Sequence, residues 1–362
     1  MFLNETVNEL KSMYINMKKI LLLTVISLMA FSGYSQNLAD LFEQNKQSVV
    51  TIYVQESVNT GTGDPRTFTG NDGLGSGVLI RDNIVLTASH VVANADKIMV
   101  QFFDGEAVEA TTRRISRMAD VALITLKKPP TNPHIAIIGN SDEVRIGDEV
   151  FVVGAPMGLP YSLSRGVISG RHSENNLSND GKSLEFFQTD AAINTGNSGG
   201  PMYNYKGEVI GIVSSILSRS GGFEGIGFAA TSNVARQLLT DRGSRYFGID
   251  ARILTREMAF ILNVPQESGW LVQHVVRNSP AGKLGIKGGF RTAVIDEEEI
   301  MLGGDIILQV DHIVMSGEES SYEIWEYFNS VQTTVTYNIK VLRAGKIMNF
   351  RWVSSAFQSS PK

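Results

Sequence analysis

The sequence predicts a mainly β chain in which antiparallel strands, arranged as barrels or sandwiches, precede a smaller α+β module. Three observations carry this. Glycine is frequent (35 residues) and proline scarce (10) in a chain of 362 residues, a balance that favours strands joined by tight turns over a helical bundle. Short β-branched runs recur at hairpin spacing over the first two thirds of the chain. No helical period separates those runs before Ser232, which argues against a parallel α/β sheet.

Composition removes several function classes. The chain is 43% hydrophobic and 19% charged, with a formal net charge of -5. No basic block interleaved with aromatic residues is present, so no nucleic-acid partner is expected. The absence of cysteine excludes disulfides, thiol nucleophiles and zinc–thiolate sites. The five histidines are His90, His134, His172, His274 and His312. Their spacing fits no metal-ligand pattern and H-E-x-x-H is missing, so neither a metal nor another cofactor is expected.

Taken in order, the chain opens on a targeting pattern. Lys18 and Lys19 precede the apolar run Ile20 to Phe31, and Ser32-Gly33-Tyr34-Ser35 follows. A basic start, an apolar middle and a small-residue exit make a secretory signal peptide. The run is shorter than the ~20 residues of a membrane span, so no stable span is expected after cleavage. Met17 is the expected start and Ser35 the expected cleavage site, which makes residues 1–35 an extension plus signal and directs the chain to the periplasm or the envelope.

After Gln36, a short amphipathic segment (Leu38, Leu41, Phe42) leads into a strand over 48–54. Residues 57–73, rich in Gly, Thr, Asp and Asn, read as a loop. G-S-G-V-L-I (75–80), a turn at Arg81-Asp82-Asn83 and I-V-L-T-A-S-H (84–90) form a hairpin whose second strand ends at His90. Further strands are expected over 97–103, 107–111, 121–126, 149–154, 166–170, 184–189, 208–215 and 226–230. A helix starts at Ser232, which can cap it, and runs to Thr240. Asp241 to Ser244 reads as a linker, so one domain covers 36–243 and a second 244–362. The second has a helix over 255–262, a strand over 269–276, a strand over 303–310, a helix over 320–329 and two closing strands over 335–342 and 346–353.

The stretch T-D-A-A-I-N-T-G-N-S-G-G-P (189–201) is centred on Ser198. A serine hydroxyl attacks a carbonyl only with a base to take its proton, a group to orient that base, and donors for the oxyanion. Alone, this stretch also reads as a glycine-rich turn. His90 at a strand end is a candidate base, and Asp120, in M-A-D-V-A-L-I-T-L before an apolar strand, a candidate acid. Each singly reads as structural; in the order His90, Asp120, Ser198 they match one convergent solution of the serine triad. The rival G-x-S-x-G elbow requires a helix directly after the serine and its partners downstream, whereas Pro201 and a strand hairpin follow here.

These residues resemble the HtrA/Do (DegP-like) family of trypsin-like serine proteases. The resemblance rests on D-A-A-I-N-x-G-N-S-G-G-P, G-x-V-I-G-I and G-I-G-F-A, and covers residues 38 to 355. It implies a chymotrypsin-like double β-barrel with a cleft between the barrels. It implies His90 as general base, Asp120 as its orienting acid and Ser198 as nucleophile. The oxyanion hole would come from Gly196 and Ser198, helped by Asn197. The position six before the nucleophile, Ala192, carries an acid in relatives selecting Lys or Arg; alanine there, with Ile193 and Ile216 lining the pocket, implies aliphatic P1 residues. Homotrimers built through Leu38 to Phe42 are expected, as is a loop over Arg171 to Ser183 that relays peptide occupancy to the oxyanion hole.

The second domain resembles a PDZ domain of the permuted type. Tyr246-Phe247-Gly248-Ile249 matches the carboxylate-binding loop, and a C-terminal peptide would add as a strand beside Ile249. Ile324 and Phe328, on one face of the following helix, are expected as the other wall or as core. An insert over 290–302, with the acidic run Asp296-Glu297-Glu298-Glu299, is expected as a solvated loop, with shielding of the groove or contact with a basic partner as the alternatives. The reading is an exported, ATP-independent serine endoprotease acting on unfolded or misfolded envelope proteins. The alternatives are a regulatory protease that cuts one signalling substrate and a chaperone-like binding protein.

Overall fold

The structure, a computed structural model, describes residues 13–19, 37–59, 68–159, 161–174, 184–216, 218, 222–239, 246–295, 298–330 and 334–354. Residues 1–40 and 41–362 form separate units. In the first, residues 13–19 are helical, and the expected apolar signal run and cleavage site lie outside the described residues. No described helix is long and apolar enough to cross a membrane.

Two closed six-stranded barrels follow. The first contains β1 (Val49–Asn59), β2 (Phe68–Arg81), β3 (Ile84–Thr87), β4 (Lys97–Gln101), β5 (Ala107–Ser116) and β6 (Val121–Leu126), in the order β1-β2-β3-β6-β5-β4. The second contains β7 (Glu149–Gly154), β8 (Ser162–Glu174), β9 (Leu184–Thr189), β10 (Pro201–Asn204), β11 (Val209–Ile216) and β12 (Gly227–Thr231), in the order β10-β11-β12-β9-β8-β7. Closure leaves no edge strand to pair with another chain. Each barrel is filled by its own side chains: Ile52, Leu79, Val100 and Ile124 in the first, Val152, Ile168, Phe187 and Val213 in the second. This is the mainly β, chymotrypsin-like architecture that the sequence predicts.

Several strand limits differ from those read in sequence, for identifiable reasons. The segment 57–73 is not simply a loop. β1 and β2 stay in register out to Asn59 opposite Phe68, because backbone pairing satisfies the peptide groups whatever polar side chains they carry. β8 runs through the glycines expected to limit it. A Cβ on Gly166 would lie 2.4 Å from the Ala191 nitrogen, so this glycine serves the close passage of another segment. The strand before the candidate base stops at Thr87, and His90 sits on a one-turn helix over Ser89–Val92. In helix α1 (Leu38–Asn45), Leu41 is 1% exposed. Leu41 is therefore core, not part of an open apolar face for a trimer.

The expected linker and the domain junction at 243/244 lie outside the described residues. The module beyond is built on a sheet of β13 (Ile249–Ile253), β14 (Trp270–Val275), β17 (Ile306–Val310), β19 (Val335–Arg343) and β20 (Lys346–Ser354), in that order, with β18 (Ile313–Val314) also on β17. A helix over Glu318–Ser330 covers it. Trp270, Tyr337 and Trp352 dominate the core, with the Tyr337 and Trp352 rings stacked at 5.1 Å. Of the acidic run in the insert, Glu299 is exposed, and the insert is a hairpin of β15 (Arg291–Ile295) and β16 (Glu298–Leu302) where a loop is expected. Its alternating apolar residues explain this: Ile300 is buried, and Ala293, Ile295 and Leu302 pack on the same cluster. Gln273 on β14 ties it down, accepting from the Met301 N–H at 2.6 Å and donating to the Met301 carbonyl at 3.1 Å. Residues 296 and 297 lie outside the described residues.

Candidate active site

His90 and Asp120 are brought together by two adjacent elements of the first barrel, the one-turn helix after β3 and the turn before β6. Asp120 adopts φ 48, a left-handed conformation that aspartate tolerates better than most residues. Its carbonyl accepts from the Ser89 N–H at 3.2 Å. Its carboxylate takes three further hydrogen bonds. Oδ1 accepts from the His90 N–H at 3.0 Å, while Oδ2 lies 2.8 Å from His90 Nδ1 and accepts from Ser214 Oγ at 2.5 Å. Burial pushes the Asp120 carboxyl up, but the hydrogen bonds and charge of His90, with the Ser214 hydroxyl, outweigh it, and the net direction is below the ordinary value. The carboxylate is therefore held ionised. The His90 side chain is 51% exposed, leaving its far edge open to the cleft.

Ser198 lies in the second barrel, on the loop entering β10. Its carbonyl accepts from the Ser76 N–H of β2 at 2.8 Å, so a backbone bond between the barrels holds the serine at their junction. Its hydroxyl is directed at the Ser214 carbonyl, 3.4 Å away. Among the described residues no hydrogen bond joins it to His90, and such bonds often form only in the substrate complex. Gly196 has φ 103 and the Asn197 N–H donates to the Asn194 carbonyl at 2.9 Å. This is a turn with its glycine in the position that requires positive φ. Among the described residues no hydrogen bond takes the N–H of Gly196 or Ser198. Asn197 differs from expectation: its N–H is occupied and its side chain buried at 5% exposure, so it is not a third oxyanion donor. Gly199, at φ 82, admits no side chain, since a Cβ would lie 2.2 Å from Thr87 Oγ1.

The expected pocket residues divide by exposure. Ala192 is exposed, Ile193 is 2% exposed, and Ile216 is half-buried against the same second-barrel cluster. Ile193 reaches across to β12, where a Cβ on Gly227 would be 2.5 Å from its Cδ1. The loop over Arg171 to Ser183 is described only through residue 174. Arg171 at its start grips Glu185 with two hydrogen bonds at 3.0 and 2.8 Å and donates to the Val144 carbonyl at 2.6 Å.

The expected peptide groove of the second module is only partly as read. Tyr246 packs against the core of the first barrel and donates to the Ala93 carbonyl at 3.2 Å. Phe247 is core, its ring 4.7 Å from that of Trp352. Gly248 has φ 84, and Ile249 begins β13, the outer strand of the sheet. The Ile249 carbonyl accepts from Arg117 Nη2 at 3.2 Å, and the Arg117 guanidinium also pairs with Asp250 at 3.3 Å. Ile324 and Phe328 are 0% and 2% exposed. They fill the core beneath the helix and form no open wall.

Two residues that the sequence reading did not single out belong to the site. Ser214 donates to the Asp120 carboxylate, and Ser76 contacts the nucleophile loop through both its backbone and its hydroxyl. The one signal for Ser214 was a pair of serines in an otherwise apolar strand, V-I-G-I-V-S-S-I.

Comparison with known proteins agrees with this fold. A model of the trypsin-like peptidase domain matches residues 75–212. The probable periplasmic serine endoprotease DegP-like of Buchnera aphidicola is 31% identical over 362 residues, covering 89% of this chain and 77% of that protein. The one from Pseudomonas putida is 37% identical over 261 residues, 69% of this chain and 53% of the relative. The periplasmic pH-dependent serine endoprotease DegQ of Escherichia coli is 36% identical over 278 residues, 70% and 60% respectively. The chain thus spans about half the length of several curated relatives. Among solved structures, a variant of the HtrA-type protease AlgW with a decapeptide superposes with a TM-score of 0.51 at 27% identity, over 90% of this chain and 100% of that one. With two barrels, a His–Asp pair and a glycine-flanked serine between them, the chain belongs to the DegP/HtrA-type family of trypsin-like serine endoproteases.

Proposed function

We propose that this chain is an exported serine endoprotease that hydrolyses peptide bonds of unfolded envelope proteins. The observation that carries the reading is the Asp120 carboxylate held by His90 and Ser214, with Ser198 across the cleft on a loop that leaves two N–H groups free. In this reading Ser198 Oγ turns from the Ser214 carbonyl to His90 Nε2, gives up its proton there and attacks the scissile carbonyl. Asp120 keeps the proton of His90 on Nδ1 and stabilises the imidazolium that forms. The N–H groups of Gly196 and Ser198 receive the oxyanion, whose charge exists only at the transition state and the tetrahedral intermediate. His90 then protonates the leaving amine, and water repeats the sequence on the acyl-enzyme. Export is supported by the signal pattern around Lys18 to Ser35 and by relatives named periplasmic.

Cleavage of reduced casein, with and without a serine-directed fluorophosphonate, tests the activity. Hydrolysis by the untreated chain and none by the treated one is expected; hydrolysis that survives complete labelling of Ser198 overturns it. The same digest reads the pocket. Ala192 offers no carboxylate to a cation, and with Ile193 and Ile216 as the apolar lining of this reading, cleavage should follow Val, Ile, Leu and Ala. Preference among these should be soft, since one methylene is worth about 1–3 kcal/mol. Sites that cluster after Lys or Arg would remove the pocket assignment.

The second module is proposed to hold C-terminal peptides along the outer edge of β13. Support comes from the Gly248 φ of 84 and from carbonyls turned inward: Phe247 O accepts from Ala281 N, and Gly248 O from Val276 N. Among the described residues no hydrogen bond takes the N–H groups of Phe247 and Gly248. Bonds from such groups to a carboxylate are worth about 1.5–3 kcal/mol. By fluorescence anisotropy, a peptide ending in a free carboxylate should bind at least tenfold more tightly than its C-terminal amide. Equal affinities would place the peptide site elsewhere.

A further inference from the structure

Ser76 lies on β2, in the first barrel, and is fully buried. Its four polar connections all lead to the site. Its N–H donates to the Ser198 carbonyl at 2.8 Å, and its carbonyl accepts from Thr87 Oγ1 at 2.7 Å, on the strand that leads to His90. Its hydroxyl oxygen accepts from the Ala155 N–H at 2.9 Å, just after β7 of the second barrel. The single hydroxyl proton is donated to the Gly196 carbonyl at 2.6 Å.

That last bond lands on a peptide that matters for the oxyanion hole. The Gly196–Asn197 peptide has its N–H bonded to the Asn194 carbonyl and its C=O bonded to Ser76. Both polar atoms are thus pinned, and rotating this peptide would break both bonds at once. The two loop carbonyls that Ser76 holds, through Oγ and N, belong to Gly196 and Ser198, the residues whose own N–H groups are unoccupied. The contact also crosses between barrels, so the hydroxyl fixes the donors of the second barrel relative to the base and acid of the first.

We propose that Ser76 is a positioning residue for the oxyanion hole: its hydroxyl holds the Gly196 carbonyl so that the Gly196 and Ser198 N–H groups converge on one point. This rests on the reading of Ser198 as nucleophile. It acts through Gly196 and touches no substrate. Removing the hydroxyl leaves the Gly196 carbonyl and the Ala155 N–H buried without that partner, and the loop gains an alternative orientation. The loss should appear where the oxyanion is formed and not where the substrate is merely held.

The experiment compares Ser76→Ala and Ser76→Cys with the parent on a chromogenic aliphatic peptide, normalised to the sites titrated by a fluorophosphonate. Cysteine preserves the shape and keeps only a weak donor. Removing an oxyanion-hole donor outright costs roughly 10²–10³ in kcat; loosening a pair should cost Ser76→Ala at least tenfold, with Ser76→Cys between it and the parent and KM unchanged. Affinity for a peptide aldehyde, whose hemiacetal oxygen occupies the hole, should fall by a similar factor. A purely structural serine would lower the urea midpoint and the fraction of titratable sites while leaving kcat per titrated site and aldehyde affinity intact. Should Ser76→Ala not fold, unchanged kcat per site and aldehyde affinity in Ser76→Cys overturn the proposal. If the parent itself neither labels nor cleaves, the nucleophile assignment fails instead, and the two failures are distinct.

Discussion

Ser198→Ala should lower kcat for casein hydrolysis on the order of 10⁶-fold, as removal of the nucleophile does in other triads. The geometry makes this a clean substitution. The side chain loses only Oγ, whose described hydrogen bond is the 3.4 Å contact to the Ser214 carbonyl. The backbone anchor from Ser76 N to the Ser198 carbonyl is independent of the side chain. The unfolding free energy read from urea should therefore stay within the ~0.5 kcal/mol typical of benign substitutions, and substrate binding should persist because the pocket and the N–H pair remain. His90→Ala should cost nearly as much, and the double variant little more than either alone, because base and nucleophile act as a unit. A purified Ser198→Ala protein with kcat within tenfold of the parent would end the assignment.

How much of this was legible in sequence depends on whether a residue's role is set by its neighbours in the chain or in space. His90, Asp120 and Ser198 each carry a local signature, and their order restricts the fold, so the two barrels and the triad could be read together. Ser214 and Ser76 carry none. Each is a serine within a strand, made functional by a hydrogen bond to a residue 94 and 120 positions away. Ile324 and Phe328 show the limit of periodicity: helical spacing finds a buried face but does not tell a core from a groove, and here the aromatic cluster of Tyr337 and Trp352 claims both. In the insert over 290–302 the acidic run masks the alternation of Ala293 and Ile295 that makes a hairpin face. Tyr246 fits the carboxylate-binding loop by its sequence neighbours, whereas its ring packs on the first barrel, a contact no local pattern encodes.

Asp120→Asn should lower kcat by about 10⁴-fold, the loss seen when a triad aspartate becomes its amide. The carboxylate here accepts three hydrogen bonds from His90 and Ser214. An asparagine amide nitrogen cannot accept. Placed at Oδ2 it faces His90 Nδ1 and the Ser214 hydroxyl and favours the imidazole tautomer protonated on Nε2, which cannot take the Ser198 proton. Placed at Oδ1 it meets the His90 N–H, a donor facing a donor. The same bonds fix the pH dependence of stability. Burial raises the Asp120 carboxyl, and His90 with Ser214 lowers it further than burial raises it, so the folded value lies below the unfolded one. A group depressed in the folded state stabilises fully above its unfolded value, about 3.9 for aspartate, and loses that contribution as the pH falls through its native value. The parent should therefore be more resistant to urea than Asp120→Asn at pH 7. That advantage should narrow as the pH drops below about 4, because the parent carboxyl becomes neutral and resembles the amide. An advantage that stays constant down to pH 2, or that grows with acid, would mean that the ionised carboxylate is not what these three donors stabilise.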